Sequence, residues 1–239
     1  MEAIVLAGGL GTRLRSVVAD VPKPMAPVAG RPFLDYILYY LKKQGIRRVI
    51  LAVGYKWEVI KSYYSQADSR FGLELVFSVE DEPLGTGGAI FNAVGNVLDD
   101  TFFLINGDTA FDVPLNELAE FYADSSAEIV LALKQVTETE RYGSVECAPN
   151  GRIVSFLDKG HNDKPSSAIN GGIYLMKKAV MERFNFPARF SFETDFLQSK
   201  LSELNAFGKV FDAPFIDIGI PVDYHRAQNL FKNAIDEAI

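Results

Sequence analysis

Gly8, Gly9 and Gly11 fall within four residues, and Arg13 and Lys23 follow. Glycine has no Cβ to block a ligand and accepts positive φ, so several backbone N–H groups can turn into one space. Two nearby cations suit that space to an anion such as a triphosphate. The spacing is not the dinucleotide fingerprint, whose third glycine would stand where this chain has Leu14. Nor is it a P-loop, because Gly11-Thr12-Arg13 lacks the required Gly-Lys-Ser/Thr. A tight turn with glycines chosen for geometry alone is the weaker account, since it leaves both cations unexplained.

Asp108, in Asn106-Gly107-Asp108, follows an apolar run and would face a ligand cleft. A carboxylate there can hold Mg²⁺, a hard cation that prefers oxygen donors. A turn aspartate capping the next segment is an equal account. Asp217 sits between apolar residues in Phe215-Ile216-Asp217-Ile218 and needs a cation or donors if buried. A shared metal and a salt bridge both satisfy it. Glu80 precedes a second glycine cluster, Gly85-Thr86-Gly87-Gly88. Its two coplanar acceptors match the N1–H and N2–H₂ donors of guanine. Glu82 could do the same, and solvated acids account for either. Lys159 and Asn170-Gly171-Gly172 suit the phosphate and hydroxyls of a sugar, with Tyr142-Gly143 lining the same pocket. Glu193 suits a pair of sugar hydroxyls, or belongs to a helix start capped by Ser191. His161 and His225 have no metal-spaced or nucleophilic partner.

The elements that must position these groups alternate over the first part of the chain. Ala3 to Ala7 reads as a strand buried on both faces, followed by a helix over Phe33 to Gln44. A strand over Arg48 to Val53, a helix over Tyr55 to Tyr64 and a strand over Leu73 to Val79 come next. The second glycine cluster opens a helix to Val94, and strands at Thr101 to Ile105 and Glu128 to Leu133 flank a helix over Pro114 to Tyr122. Such alternation predicts an α/β fold: a Rossmann-like, three-layer, mainly parallel sheet with helices on both faces and ligands beyond the strands' carboxyl ends. After about residue 135 the pattern changes. Gly143 to Cys147, Arg152 to Leu157 and Ile169 to Met176 suggest a small antiparallel sugar-binding subregion. Helices over Phe192 to Leu204 and Val222 to Ala238 are expected to flank a strand pair at Lys209 to Asp212 and Phe215 to Ile218. One domain over residues 1–239 is expected, with a nucleotide-binding part over 1–135 and a sugar-phosphate-binding part over 136–239.

The 239 residues suffice for a substantial core, and a formal net charge of −7 argues against a nucleic-acid partner. Cys147 is the only cysteine, so no intrachain disulfide forms. No apolar run is long enough to span a bilayer and no signal peptide is evident, so a cytoplasmic setting without a membrane partner is expected.

Taken together, Leu6-Ala7-Gly8-Gly9-x-Gly11-Thr12-Arg13-Leu14, Pro22-Lys23-Pro24, Pro83-Leu84-Gly85-Thr86-Gly87-Gly88-Ala89, Asn106-Gly107-Asp108, Asp158-Lys159, Asn170-Gly171-Gly172-Ile173-Tyr174, Ser191-Phe192-Glu193 and Asp217-Ile218-Gly219 resemble the sugar-phosphate nucleotidyltransferases, the nucleoside-diphosphate-sugar pyrophosphorylases. The resemblance covers nearly the whole chain. It implies that an NTP and a sugar 1-phosphate give an NDP-sugar and pyrophosphate, with Mg²⁺ as cofactor. It implies a nucleotide site of Leu6, Ala7, Gly8, Gly9, Gly11, Thr12, Arg13, Lys23, Glu80, Gly85, Thr86 and Asp108. Arg13 would grip the β- and γ-phosphates, Lys23 the α-phosphate, and Asp108 and Asp217 the metal; Arg13, Lys23 and Asp108 form the catalytic set. Gly107, Tyr142, Gly143, Lys159, Asn170, Gly171 and Glu193 would take the sugar phosphate. Asp20 to Pro27 and Asn106 to Val113 resemble the branch using GTP and a heptose 1-phosphate. A mannose 1-phosphate with GTP, or N-acetylmuramate 1-phosphate with UTP, are the alternatives. A non-catalytic nucleotide-sugar-binding regulator would have no need of Arg13, Lys23, Asp108 and Asp217 together. The chain departs from the family at Gly87, often alanine, a change expected to be tolerated. With one helix after Asp217, no added C-terminal β-helix domain is expected, and a homodimer is one way to cover apolar surface left by its absence.

Overall fold

The structure is a computed structural model that describes residues 1–9, 14, 17–18, 21–65, 71–137, 144–157 and 167–232. Gly11, Thr12, Arg13, Tyr142, Gly143 and Lys159 lie outside the described residues, as do residues 233–238 of the helix expected to end at Ala238.

Strand β1 (Glu2–Leu6) forms the middle of the sheet, and β2 (Pro27–Val28) and β3 (Arg31–Pro32) pair antiparallel with each other apart from it. β1 runs parallel to β4 (Arg48–Val53) on one side and β6 (Thr101–Asn106) on the other, so that Ile4 lies opposite both Ile50 and Leu104. Ala3, Ile4 and Val5 are fully buried, as an apolar run without alternation requires. β5 (Glu74–Val79) extends the parallel set beyond β4. Beyond β6 the direction reverses. β11 (Ser167–Lys177) runs antiparallel to β6 and to β8 (Ile129–Val136), and β12 (Ala206–Val210) runs parallel to β8. β9 (Ser144–Cys147) pairs the first half of β11 and turns through Asn150-Gly151 into β10 (Ile153–Leu157). Thus β1, β4, β5, β6, β8, β9 and β12 run one way and β10 and β11 oppose them, the mixed and mainly parallel sheet expected.

Side chains alternate between the sheet's two faces. Ala3, Val5, Phe103 and Ile105 meet α1 (Phe33–Lys43), α2 (Trp57–Ser65) and α4 (Leu115–Ser125) on one face, joined by α6 (Pro221–Leu230). Ile4, Phe102 and Leu104 meet α3 (Gly85–Val94) and α5 (Lys178–Glu182) on the other. In α1 the stripe Phe33, Leu34, Ile37, Leu38 and Leu41 is buried, and Gly45 ends the helix at φ +80°. No helix among the described residues is long and apolar enough to cross a membrane.

Two expectations need correction. The segments at Lys209 and Phe215 do not pair with each other: β12 joins β8, whereas β13 (Phe215–Asp217) pairs antiparallel with β7 (Thr109–Phe111) as a separate ribbon. Phe111 meets Phe215 edge-on at 5.5 Å, so aromatic packing fixes the ribbon on the core. The helix expected over Phe192 to Leu204 is a π-helical segment, Phe192–Gln198, followed by a 3₁₀ turn, Leu201–Glu203. A wider turn brings positions i, i+4 and i+5 to one side, and Phe192, Phe196 and Leu197 are all fully buried.

At the end of β1 opposite the glycine loop, Glu2 is 4% exposed. Its Oε2 accepts the Leu98 and Asp99 N–H groups at 2.7 and 2.8 Å, and Oε1 pairs with Arg48. Arg48 also donates to Glu74 (2.8 Å) and the Asn96 carbonyl (2.8 Å), tying β1, β4 and β5 to the turn after α3. Burial opposes ionisation of Glu2, but the amide of Asp99, the Arg48 guanidinium and the amide of Leu98 outweigh it and hold its pKa below the usual carboxylate value. Glu2→Ala is expected to cost about 3 kcal/mol at neutral pH. A native pKa below the unfolded one gives stability that is present above the unfolded value and lost as pH falls through the native one. Urea unfolding at several pH values should therefore show the difference between wild type and variant shrinking in acid; a difference independent of pH would refute the ionic role.

Candidate active site

The first glycine cluster lies at the carboxyl end of β1, where β4, β5 and β6 also end. Gly107 makes their approach possible. Its N–H donates to the Leu6 carbonyl at 3.0 Å, and a Cβ there would lie 2.2 Å from the same oxygen. Gly8 packs against Gly54, and Glu80 folds over both: a Cβ on Gly54 would lie 2.4 Å from Glu80 Oε1. Gly8 therefore serves protein packing, whereas Gly9 is exposed and faces open space. Glu80 Oε2 accepts the Leu84 N–H at 3.2 Å. Burial raises the Glu80 pKa, and that amide bond partly opposes the rise.

Lys23 opens a 3₁₀ turn, Lys23–Met25, between Pro22 and Pro24. Its ammonium donates to Asp108 Oδ2 and lies 3.9 Å from Asp217 Oδ1. The ribbon brings the two acids together: Asp217 stands opposite Thr109 in register, and the Ile218 N–H donates to the Asp108 carbonyl at 3.0 Å. Gly219 N–H donates to Asp217 Oδ1 at 2.6 Å. Burial first and the Asp108 charge second push the Asp217 carboxyl up, against the pull of Lys23 and the Gly219 amide; Asp223 adds to the rise. Among the described residues two carboxylates thus share one ammonium and leave negative charge uncompensated. The oxygen donors fit a hard divalent cation that takes its remaining ligands from phosphate and water. Among the described residues no group of three or more acids, histidines or cysteines makes a metal site unaided.

β11 carries the third part of the site. Its register against β8 breaks between Asn170 and Tyr174. Gly172 sits there at φ +74°, and a Cβ on it would lie 2.9 Å from Asn106 Nδ2. Asn170 accepts the Gly172 N–H at 3.1 Å and donates to the Tyr174 hydroxyl at 2.6 Å. Tyr174 is fully buried; burial first, then the Glu193 charge, push its hydroxyl pKa up, with Asp108 adding and the Asn170 bond opposing. Tyr174 therefore lies among Asn170, Glu193 and Asp108. The signal for it was a lone hydroxyl in an apolar strand, which must find a partner when buried. Asn106 likewise stands within a motif; its Oδ1 is buried and takes no hydrogen bond among the described residues, so a ligand donor would satisfy it.

The second glycine cluster meets the segment before the π-helical turn. Gly85, at φ +72°, would place a Cβ 2.5 Å from the Phe190 carbonyl, and one on Gly87 would lie 2.2 Å from the Phe190 ring. That ring fills the space an alanine methyl would take, which is how glycine is accommodated at this departure from the family. Thr86 donates to Glu193 Oε2 at 2.8 Å and accepts the Phe192 N–H at 2.9 Å. Ser191 accepts the Thr194 N–H at 3.2 Å and so caps the turn, as one reading of this stretch held. The described residues thus gather Leu6 to Gly9, Lys23, Glu80, Gly107, Asp108 and Asp217 at the strand ends, with Asn170 and Gly171 on β11 and with Gly85 and Thr86, the first residues of α3, beside Glu193. A cavity of about 470 Å³ lies apart, between α1 and the ribbon, and neither Lys23, Asp108 nor Asp217 lines it.

The chain is 46% identical over 98% of its length, and 100% of the relative's, to D-glycero-alpha-D-manno-heptose 1-phosphate guanylyltransferase of Aneurinibacillus thermoaerophilus. To the protein of that name in Campylobacter jejuni it is 48% identical, over 95% of this chain and 98% of the other. Among solved structures it is similar to HddC from Yersinia pseudotuberculosis (38% identity, TM-score 0.87, covering 97% of this chain and 99% of that one), which is also solved in complex with GMP-PN. Residues 2–234 match the family described as Nucleotidyl transferase, and the chain belongs to that family.

Proposed function

We propose that this protein transfers GMP from GTP to D-glycero-α-D-manno-heptose 1-phosphate, giving GDP-heptose and pyrophosphate for surface polysaccharide synthesis. The observation that carries the reading is the 46–48% identity to two heptose 1-phosphate guanylyltransferases along nearly the whole chain. The site geometry supports it: the Lys23, Asp108 and Asp217 cluster stands where β1 and β6 end.

The sugar phosphate oxygen attacks the α-phosphorus in line, a new P–O bond forms, and the bond to the β-phosphate oxygen breaks with loss of pyrophosphate. No protein nucleophile is needed; the work is positioning and charge compensation. Lys23, clamped between two prolines and two carboxylates, would meet the charge on the α-phosphate. Asp108 and Asp217 would hold Mg²⁺, which supplies charge neutralisation to the phosphates when bound. Gly9, exposed and facing open space, would let the triphosphate approach the backbone. The resemblance gives the β- and γ-phosphates to Arg13 and the sugar's phosphate to Lys159. Glu80 would pair with guanine; each carboxylate oxygen has two lone pairs, so the bond from Leu84 leaves capacity on both. Asn170 and Glu193 would take sugar hydroxyls.

Pyrophosphate release is the direct test, run with four NTPs and several sugar 1-phosphates in the presence of Mg²⁺. GTP with the heptose 1-phosphate should give the fastest turnover, and a folded protein inactive with every pair would end the enzyme reading. Preference for UTP would remove Glu80 as the base reader. Lys23→Ala and Asp108→Ala should each lower kcat by roughly 10²–10³-fold or more, with circular dichroism unchanged. Chelation with EDTA should abolish turnover and added Mg²⁺ restore it; activity unaffected by chelator would argue against a metal at Asp108 and Asp217.

A further inference from the structure

We propose that Thr86 is a positioning residue for the sugar-recognising carboxylate: its hydroxyl fixes Glu193, so the loop expected to hold the nucleotide sets the geometry of sugar binding. The proposal rests on the role read above for Glu193 and reassigns Thr86 from the nucleotide to the acceptor side of the reaction.

A hydroxyl has one proton to give. The Thr86 proton is committed to Glu193 Oε2 at 2.8 Å, while the Thr86 oxygen accepts the Phe192 N–H at 2.9 Å. The side chain is therefore spent on the 192–193 backbone and carboxylate, with no proton left for a base or phosphate. Ser191 Oγ reaches the same Glu193 oxygen at 3.3 Å. Two hydroxyls thus hold Oε2, while Oε1 takes no hydrogen bond among the described residues. A carboxylate with one oxygen fixed and the other open presents an acceptor of set direction. Charge-assisted bonds are the stronger kind, so the rotamer is well determined.

The backbone makes the two segments one unit. Phe190 N–H donates to the Leu84 carbonyl at 3.0 Å, and Gly87 N–H donates to the Phe190 carbonyl at 3.0 Å. The Phe190 ring rests on Gly87 and stacks on Phe186 at 4.4 Å. On the far side the Phe192 ring meets Tyr174 edge-on at 5.2 Å, next to Asn170. The open oxygen of Glu193 and the amide of Asn170 are thus placed by a continuous chain from Thr86 through Phe192 to Tyr174.

Steady-state kinetics of the full-length protein with GTP, the heptose 1-phosphate and Mg²⁺ test this, using Thr86→Val, Thr86→Ser, Glu193→Gln and the Thr86→Val/Glu193→Gln double variant. Thr86→Val keeps the shape and removes both the donor to Glu193 and the acceptor of the Phe192 N–H, whereas Thr86→Ser keeps both. It should raise KM for the sugar 1-phosphate roughly tenfold while KM for GTP changes less than about twofold. Thr86→Ser should restore the wild-type value, and the double variant should be no worse than Glu193→Gln alone, as coupled residues require. A rise in KM for GTP with the sugar KM unmoved would overturn the proposal and return Thr86 to the nucleotide. Additive effects, or failure of serine to rescue, would overturn it too. A normal sugar KM in Glu193→Gln would refute the sugar role of Glu193 and this proposal with it. Absence of turnover in wild type marks instead the failure of the proposed function.

Discussion

The site depends on one electrostatic arrangement, the Lys23 ammonium beside the carboxylates of Asp108 and Asp217. The three residues come from a 3₁₀ turn, the turn between β6 and β7, and the end of β13. Two acids this close repel one another, and burial worsens the repulsion, as the raised Asp217 pKa records. The Lys23 ammonium works against that rise at Asp217. The negative charge left over suits the place to a hard cation. The same excess explains why the surrounding contacts are so restrictive: the Gly219 amide, the Thr109 hydroxyl and the prolines beside Lys23 all hold the triad in place.

The sheet supplies the platform. β1 is locked in register between β4 and β6, and no residue with a side chain could stand at Gly107 without forcing β1 and β6 apart. The antiparallel β11 then brings Tyr174 alongside β6, with Asn170 hydrogen-bonded to its hydroxyl. β1, β6 and β11 are thus neighbours within one sheet. Segment 188–193 packs on the glycines of the second cluster.

Much of this was legible from residue order. Periodicity located β1, β4, β6 and α1 to within a residue or so, because each buries a long apolar run or stripe whose pattern has few alternatives. The motifs also named most of the residues gathered at the strand ends. The partners of short, late segments were not legible. Phe215-Ile216-Asp217 and the strand near Lys209 are adjacent in sequence and read equally well as a hairpin. Yet β12 has a long unpaired edge at β8 to join, while Phe215 finds Phe111 on the ribbon. Local pattern contains no information on which edge is free. The π-helical turn was missed for a related reason: Phe192, Phe196 and Leu197 fit an ordinary helix poorly, but only the surface they cover demands the wider turn.

The sequence by itself determined the chemistry on offer: a glycine loop followed by cations, acids at strand ends and the motifs of a nucleotidyltransferase. Those are properties of residue type and short spacing, which the chain carries wherever it folds. Tertiary structure alone decided how those groups are shared. It gave Gly8 and Gly87 to packing against Glu80 and Phe190. It placed Asp217, the Lys23 ammonium and Asp108 in one cluster across 194 residues of chain, the span from position 23 to position 217. It also set the single proton of Thr86 on Glu193. The reason is that a hydroxyl, an ammonium or a carboxylate satisfies whichever partner the packed sheet brings within about 3 Å, and sequence spacing does not encode that partner.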